Sequence, residues 1–172
     1  RVVWFPQREQ YENLTVGGLF QTDYWNYRMF KNISESNDKP VSPGTLGILT
    51  NPEHPLFNDF PTDFHTNWQW FSIIKQSYPF ILDRLPSSFL PIVQVIDNVE
   101  RNHKLGLLFE FAVDGGKLLI CMADLQPVMD KPEVRQFYKS IMQYVASDSF
   151  NPSTQLNAAS LIELLNTEVE SG

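Results

Sequence analysis

Leu105-Gly106-Leu107-Leu108-Phe109-Glu110-Phe111, Asp114-Gly115-Gly116 and Lys117-Leu118-Leu119-Ile120-Cys121-Met122 follow one another along the chain, and their reading decides the fold. Two apolar runs of strand length flank a turn in which Asp and Gly tolerate the left-handed backbone that a tight hairpin demands. The spacing predicts an antiparallel hairpin near 105–122. Working upstream, Phe80-Ile81-Leu82 and Ile92-Val93-Gln94-Val95-Ile96 are further apolar runs. Gly44 to Thr50, with Leu46, Ile48 and Leu49, reads as a strand that the two prolines of Asn51-Pro52-Glu53-His54-Pro55 turn. Val2 to Phe5 is a short apolar run that suits a buried strand stopped by Pro6.

Working downstream, Asp130 reads as the N-cap of a helix with Pro132 and Glu133 in its first turn. Val134, Phe137, Tyr138, Ile141, Met142 and Val145 recur behind it at helical spacing. A shorter helix is expected from about Ser153 to Leu165, with Leu156, Ala159, Leu161, Leu164 and Leu165 as its apolar positions. The polar tail from Asn166 to Gly172 is expected to fray. Asn67 to Lys75 reads as a short helix whose apolar positions are Trp68, Phe71 and Ile74. Gly17-Gly18-Leu19-Phe20 and Tyr24 to Phe30 fit both the helical and the strand period and lean to a loop running into a short helix. Ser34 to Pro43 reads as an exposed loop. Strands first and helices last, with no repeat and no second composition regime, predict an α/β chain of one domain over 1–172, with a mixed β-sheet flanked by helices.

The composition bounds the function classes. At 172 residues and 42% hydrophobic content the chain buries one substantial core, and the aromatic share of 13% lies well outside the disordered regime. A net charge of -7 leaves no cationic excess to release counterions from a phosphate backbone, so no nucleic-acid partner is expected. No apolar run reaches the ~18 residues a membrane span needs, and no membrane association is expected. Cys121 is the single cysteine, which removes disulfide frameworks and multi-thiolate metal sites, and it reads as a buried inert thiol. The opening Arg1-Val2-Val3-Trp4 has no initiator Met or leader, so the chain reads as a fragment or processed product of a larger protein.

Catalysis needs a nucleophile, base or metal held beside a partner, and the sequence shows no phosphate loop, nucleophile elbow or His-Glu-x-x-His. No catalytic residue and no cofactor is assigned. His54, His65 and His103 lie in three separate polar segments, and a metal site joining them with Asp63 or Asp97 is a geometric option without the short ligand spacing of one element. The segment Phe60 to Phe71 interleaves aromatic faces with amides, a carboxylate and an imidazole. Asp63, His65, Asn67, Trp68 and Trp70 are therefore carbohydrate-binding candidates, since sugars stack C–H faces on Trp and offer hydroxyls to planar polar groups. Alternatively, Trp68 and Phe71 anchor a helix to the core while His65 and Asn67 cap it. Asp97, Asn98, Arg101, Asn102 and His103 form a second candidate polar loop, readable either as a plain connection or as the site of a small hydrolase using Asp97 and His103. Asn13-Leu14-Thr15 and Asn32-Ile33-Ser34 match the glycosylation acceptor pattern.

Several stretches together resemble the C-terminal region of secreted family 2 glycoside hydrolases of gut Bacteroidetes, the relatives of β-galactosidase and β-glucuronidase. They are Gly44-Thr45-Leu46-Gly47-Ile48-Leu49, His54-Pro55 through Phe60-Pro61-Thr62 to Trp68-Gln69-Trp70, Pro91 through Asn98, and Arg101-Asn102-His103-Lys104-Leu105-Gly106. The resemblance covers most of Val2 to Leu125. It implies an accessory domain that follows the catalytic barrel and carries none of its acids, serving module packing, oligomerisation or formation of the substrate cleft, with other modules of the parent enzyme, and carbohydrate, as partners. It also implies a periplasmic or extracellular location and a fold similar to the class I glutamine amidotransferase-like and flavodoxin-like domains. Amidotransferases use a Cys at a strand-to-helix elbow with a His downstream; Cys121 lies in a late strand with no His after it, so that chemistry is not expected. Fold analogy does not assign function in any case.

Overall fold

A computed structural model describes residues 1–17, 27–39, 45–99 and 101–166. Its hairpin is the predicted one. Strands β5 (Lys104–Val113) and β6 (Gly116–Cys121) pair antiparallel, with Val113 opposite Gly116. Asp114 at φ 45° and Gly115 at φ 82° both take the left-handed conformation of a type I′ turn, whose twist matches that of the strands it joins.

The hairpin is the centre of an open mixed sheet. Strands β1 (Val2–Trp4), β2 (Thr45–Thr50), β3 (Phe80–Ile81), β4 (Val93–Asp97) and β7 (Gln155–Leu156) complete it, in the order β1-β6-β5-β4-β2, with β3 and β7 also paired to β5. The β1/β6 and β5/β7 pairings are parallel and the others antiparallel. Ten-residue β5 serves two neighbours on each side: β4 then β7 on one, β3 then β6 on the other.

A register shift where β4 meets β5 sets which core each β5 residue enters. Val93 pairs with Leu108 and the next residue, Gln94, with Gly106, so Leu107 is the extra residue of a bulge. Leu105, Leu107 and Leu108 consequently join one hydrophobic cluster, while Phe109 and Phe111 join the cluster on the opposite face. Strict alternation from Leu105 would have sent all the odd-numbered residues to one side.

The first face is covered by helices α2 (Phe71–Lys75) and α3 (Pro132–Ala146) and by a 3₁₀ helix at Pro55–Asp59. Its core includes Leu56, Trp70, Ile73, Phe137 and Ile141, all essentially without solvent contact. Each such side chain contributes about 2 kcal/mol through burial. The second face carries Phe80, Leu82, Phe89 and Leu164, the last from helix α4 (Ala158–Leu165). Helix α1 (Tyr27–Ser36) carries exposed Met29, Phe30 and Ile33.

The structure departs from several expectations. Val2 is 56% exposed and Val3 and Trp4 are half-buried, so β1, which among the described residues pairs with β6 alone at the sheet edge, is not the buried strand expected. The N-cap of α3 is Lys131, without a side-chain cap, and the Asp130 carbonyl instead accepts from Arg135 Nη1 at 2.7 Å. Tyr138 and Met142 lie on the outward side of α3, and Tyr144 takes an inward place. The final helix begins at Ala158, where the Asn157 side chain accepts from Ser160 N–H at 2.7 Å; Gln155 and Leu156 are drawn into β7 because β5 offers them backbone partners. Ser34 to Ser36 close α1 and do not open a loop. The expected strand residue Gly44 and the expectations for 18–26, 40–43 and the tail from 167 lie outside the described residues.

Candidate functional site

The 63–71 segment starts as a strap along β2. Thr50 N–H donates to Phe64 O at 3.0 Å, Ile48 N–H donates to Thr66 Oγ1 at 2.9 Å and Thr50 Oγ1–H donates to Asp63 O at 2.7 Å. A 3₁₀ turn at Trp68–Trp70 then leads into α2. At about three residues per turn, positions two apart point to different sides, so the two tryptophans part company.

Trp70 is fully buried, its ring centroid 5.2 Å from those of Phe60 and Phe137, and its Nε1–H donates to Thr62 Oγ1 at 2.7 Å. Trp68 is 84% exposed and stacks on Phe71 at 5.2 Å with 10° between the ring planes. Phe64, also exposed, meets the His65 ring edge-on at 4.7 Å. Asn67 Nδ2 donates to Asp63 Oδ2 at 3.1 Å, while its Oδ1 is buried with no hydrogen-bond partner among the described residues. His65 Nδ1 lies 2.9 Å from Thr66 O, and Asn67 gives no side-chain cap to the turn. The structure thus keeps Asp63 and Asn67 together, leaves Trp68 outside beside Phe71, and removes Trp70 to the core. Neither Trp68 nor Phe71 is the anchor; Trp70, Ile73 and Ile74 are.

The 97–103 loop is folded around one carboxylate. Asp97 Oδ1 accepts from Asn98 N–H at 2.8 Å, Arg101 Nε at 3.1 Å and Arg101 Nη2 at 2.6 Å, while Oδ2 accepts from His103 N–H at 3.0 Å. Asn98 Oδ1 accepts from Arg101 N–H at 2.9 Å, and Asn102 takes φ 53° to close the turn. The His103 ring turns away from Asp97: its Nδ1 meets Asp83 Oδ2 at 2.6 Å, and Asp83 Oδ1 accepts from Lys104 N–H at 2.7 Å. Asp97 and His103 meet only through a backbone amide. The carboxylate beside the imidazole is Asp83, which the sequence did not single out because it lies in a different loop.

His54 stands apart from both places. Its Nδ1 accepts from Leu56 N–H at 3.3 Å, capping the 55–59 helix, and its ring packs edge-on against Tyr144 at 5.2 Å. Burial lowers its pKa. Tyr144 Oη–H in turn donates to Glu110 Oε2 at 2.9 Å, and burial raises the pKa of that carboxyl despite the Tyr144 hydrogen bond and nearby Lys117, which lower it. Among the described residues no three His, Cys, Asp or Glu side chains gather as metal ligands, so the three histidines are not brought together.

The match to the family model for DUF8487, described as a domain of unknown function, runs over residues 1–166. This chain belongs to the DUF8487 family. The match takes in every described strand and helix, and therefore both polar loops and the Trp68 surface, within one DUF8487 domain. No curated protein matches its sequence. Among its described residues no helix is long and apolar enough to cross a membrane.

Proposed function

We propose that this DUF8487 domain is a non-catalytic accessory module of a secreted, periplasmic or extracellular glycoside hydrolase of the β-galactosidase type. Its role is to pack against neighbouring modules of the same protein. The observation that carries the reading is the Trp68–Phe71 stack. Trp68 has most of its surface in water and Phe71 about half, although Trp70 two residues away is fully buried. Paired rings left in solvent mark a partner surface. The polar loop at 97–103 supports a non-catalytic role, because Asp97 devotes both oxygens to holding its own loop.

The test begins with the reading frame that encodes the chain. A glycosidase barrel is expected in the same polypeptide, and a frame encoding this domain without one overturns the proposal. Within the intact protein, Trp68→Ala is expected to speed proteolytic release of the domain while leaving the domain's own unfolding midpoint unchanged.

A second reading, direct carbohydrate contact at the same surface, is favoured by the Asp63–Asn67 pair on the turn leading to Trp68. Calorimetric titration with mono- and oligosaccharides decides it: binding heat abolished by Trp68→Ala supports it, and an absence of heat, or heat undiminished in Trp68→Ala, sinks it.

A further inference from the structure

The two parallel neighbours β1 and β6 run in register, Val2 beside Leu118 and Trp4 beside Ile120, so both end on the same side of the sheet. The chain leaves β1 as Phe5 to Glu9 and leaves β6 as Met122 to Gln126, and a cleft of about 700 Å³ opens between these segments. The cleft lies beyond the carboxyl ends of these two parallel strands. The volume lies within the range of small-molecule sites, roughly 300–1,000 Å³.

The lining has a definite chemistry. Tyr78 forms one wall, fixed by its N–H donating to Met122 O at 2.8 Å, and Phe5 and Tyr138 form another, with 6.1 Å between their centroids. The Arg8 guanidinium lies over the Tyr78 ring, 4.3 Å from its centroid, and Nη1 donates to Tyr78 Oη at 3.3 Å. That contact orients the fork, whose other donors meet no acceptor among the described residues. Gln7, Glu9 and Gln126, all exposed, also line the cleft.

We propose that this cleft binds a pyranose, as a monosaccharide or the end of a short glycan. Aromatic walls take the C–H faces of the ring, and the guanidinium, amide and carboxylate groups, each planar with paired donor or acceptor positions, take its vicinal hydroxyls. A polyanion fits poorly, because Glu9 and Asp124 outnumber Arg8 in the lining. The polar side chains that converge here equally disfavour a lipid tail. The site is distinct from the Trp68 surface and stands whether or not that surface packs against another module.

Amide chemical-shift mapping of the ¹⁵N-labelled chain during titration with galactose, glucuronate and lactose at millimolar concentration tests it. Shifts are expected at Phe5, at 7–9, at Tyr78 and at 122–126 with at least one of the three sugars. Arg8→Ala and Gln126→Ala should each weaken that binding about ten-fold or more, while keeping the remaining amide spectrum, and Leu90→Ala, an exposed change away from the cleft, should leave it unchanged. Shifts gathered at 63–71, shifts with none of the three sugars, or undiminished binding in Arg8→Ala would overturn the proposal. Each of those results leaves the accessory-module reading to its own test.

Discussion

Gly106 sits where no β-carbon fits. A Cβ built there would lie 2.5 Å from Leu82 Cδ1 and 2.9 Å from Phe109 Cδ1, and both neighbours are fully buried with little freedom to give way. Gly106→Ala is expected to cost about 1–3 kcal/mol, seen as a lower urea midpoint at unchanged slope. His54 shows the residue scale through a proton. Its cap needs a lone pair on Nδ1 and its burial disfavours the imidazolium, so the folded chain binds a proton less readily than the unfolded one. The contribution is complete above the ordinary histidine pKa and is lost as pH falls below it toward the lowered folded value. Glu110 acts in the opposite sense: its raised folded pKa costs stability as pH rises above the ordinary carboxylate value. The difference between the native chain and His54→Asn, which keeps a capping acceptor, isolates the first effect. From about pH 7 to pH 5 the native chain should lose stability relative to the variant, and a difference flat with pH would rule out the assigned titration.

At the scale of elements, the turn from Trp68 into α2 separates two residues of one type by opposite environments. Trp70→Ala removes the ring that Phe60 and Phe137 surround and is expected to cost about 3–5 kcal/mol. Trp68→Ala, in solvent, should stay within about 0.5 kcal/mol, and chemical denaturation of the two variants side by side checks the contrast. The same turn shows why the sequence misled here. A stripe of Trp68, Phe71 and Ile74 is a fair helical face, but the true inward stripe is Trp70, Ile73 and Ile74, set by where β2 and its strap deliver the chain. The β5–β6 hairpin was legible because its turn chemistry is local, and most of the inward face of α3 because its period is long. The split of 153–165 into β7 and α4 was not legible, since Leu156 suits either state and only the β5 edge, far away in sequence, selects one.

The whole molecule is reported by Cys121. It closes β6 inside the core, and burial pushes its thiol up to about 12, so the reactive thiolate is scarce in the folded state at neutral pH. Labelling by a thiol reagent should follow the population of unfolded chains, its rate rising with urea in step with the loss of structure; prompt labelling of native protein would contradict the burial. The acidic balance, single domain and mixed sheet could be read from the chain itself. The cleft could not, because Arg8, Tyr78, Gln126 and Tyr138 come from four stretches that no motif links, brought together by the β1/β6 pairing, the Tyr78–Met122 backbone bond and the Phe5–Tyr138 contact with α3.

That pairing also has a place in time. The hairpin closes a two-residue turn and needs only microseconds, whereas β1 must find β6 across most of the length of the chain, a contact of high order that pays its loop entropy late. The segment that carries Gln7, Arg8 and Glu9 follows β1 directly, so the cleft is complete only once β1 has docked against β6. A chain that has collapsed around β5 without β1 has its hairpin but no cleft, and a ligand bound there would favour molecules in which β1 has docked.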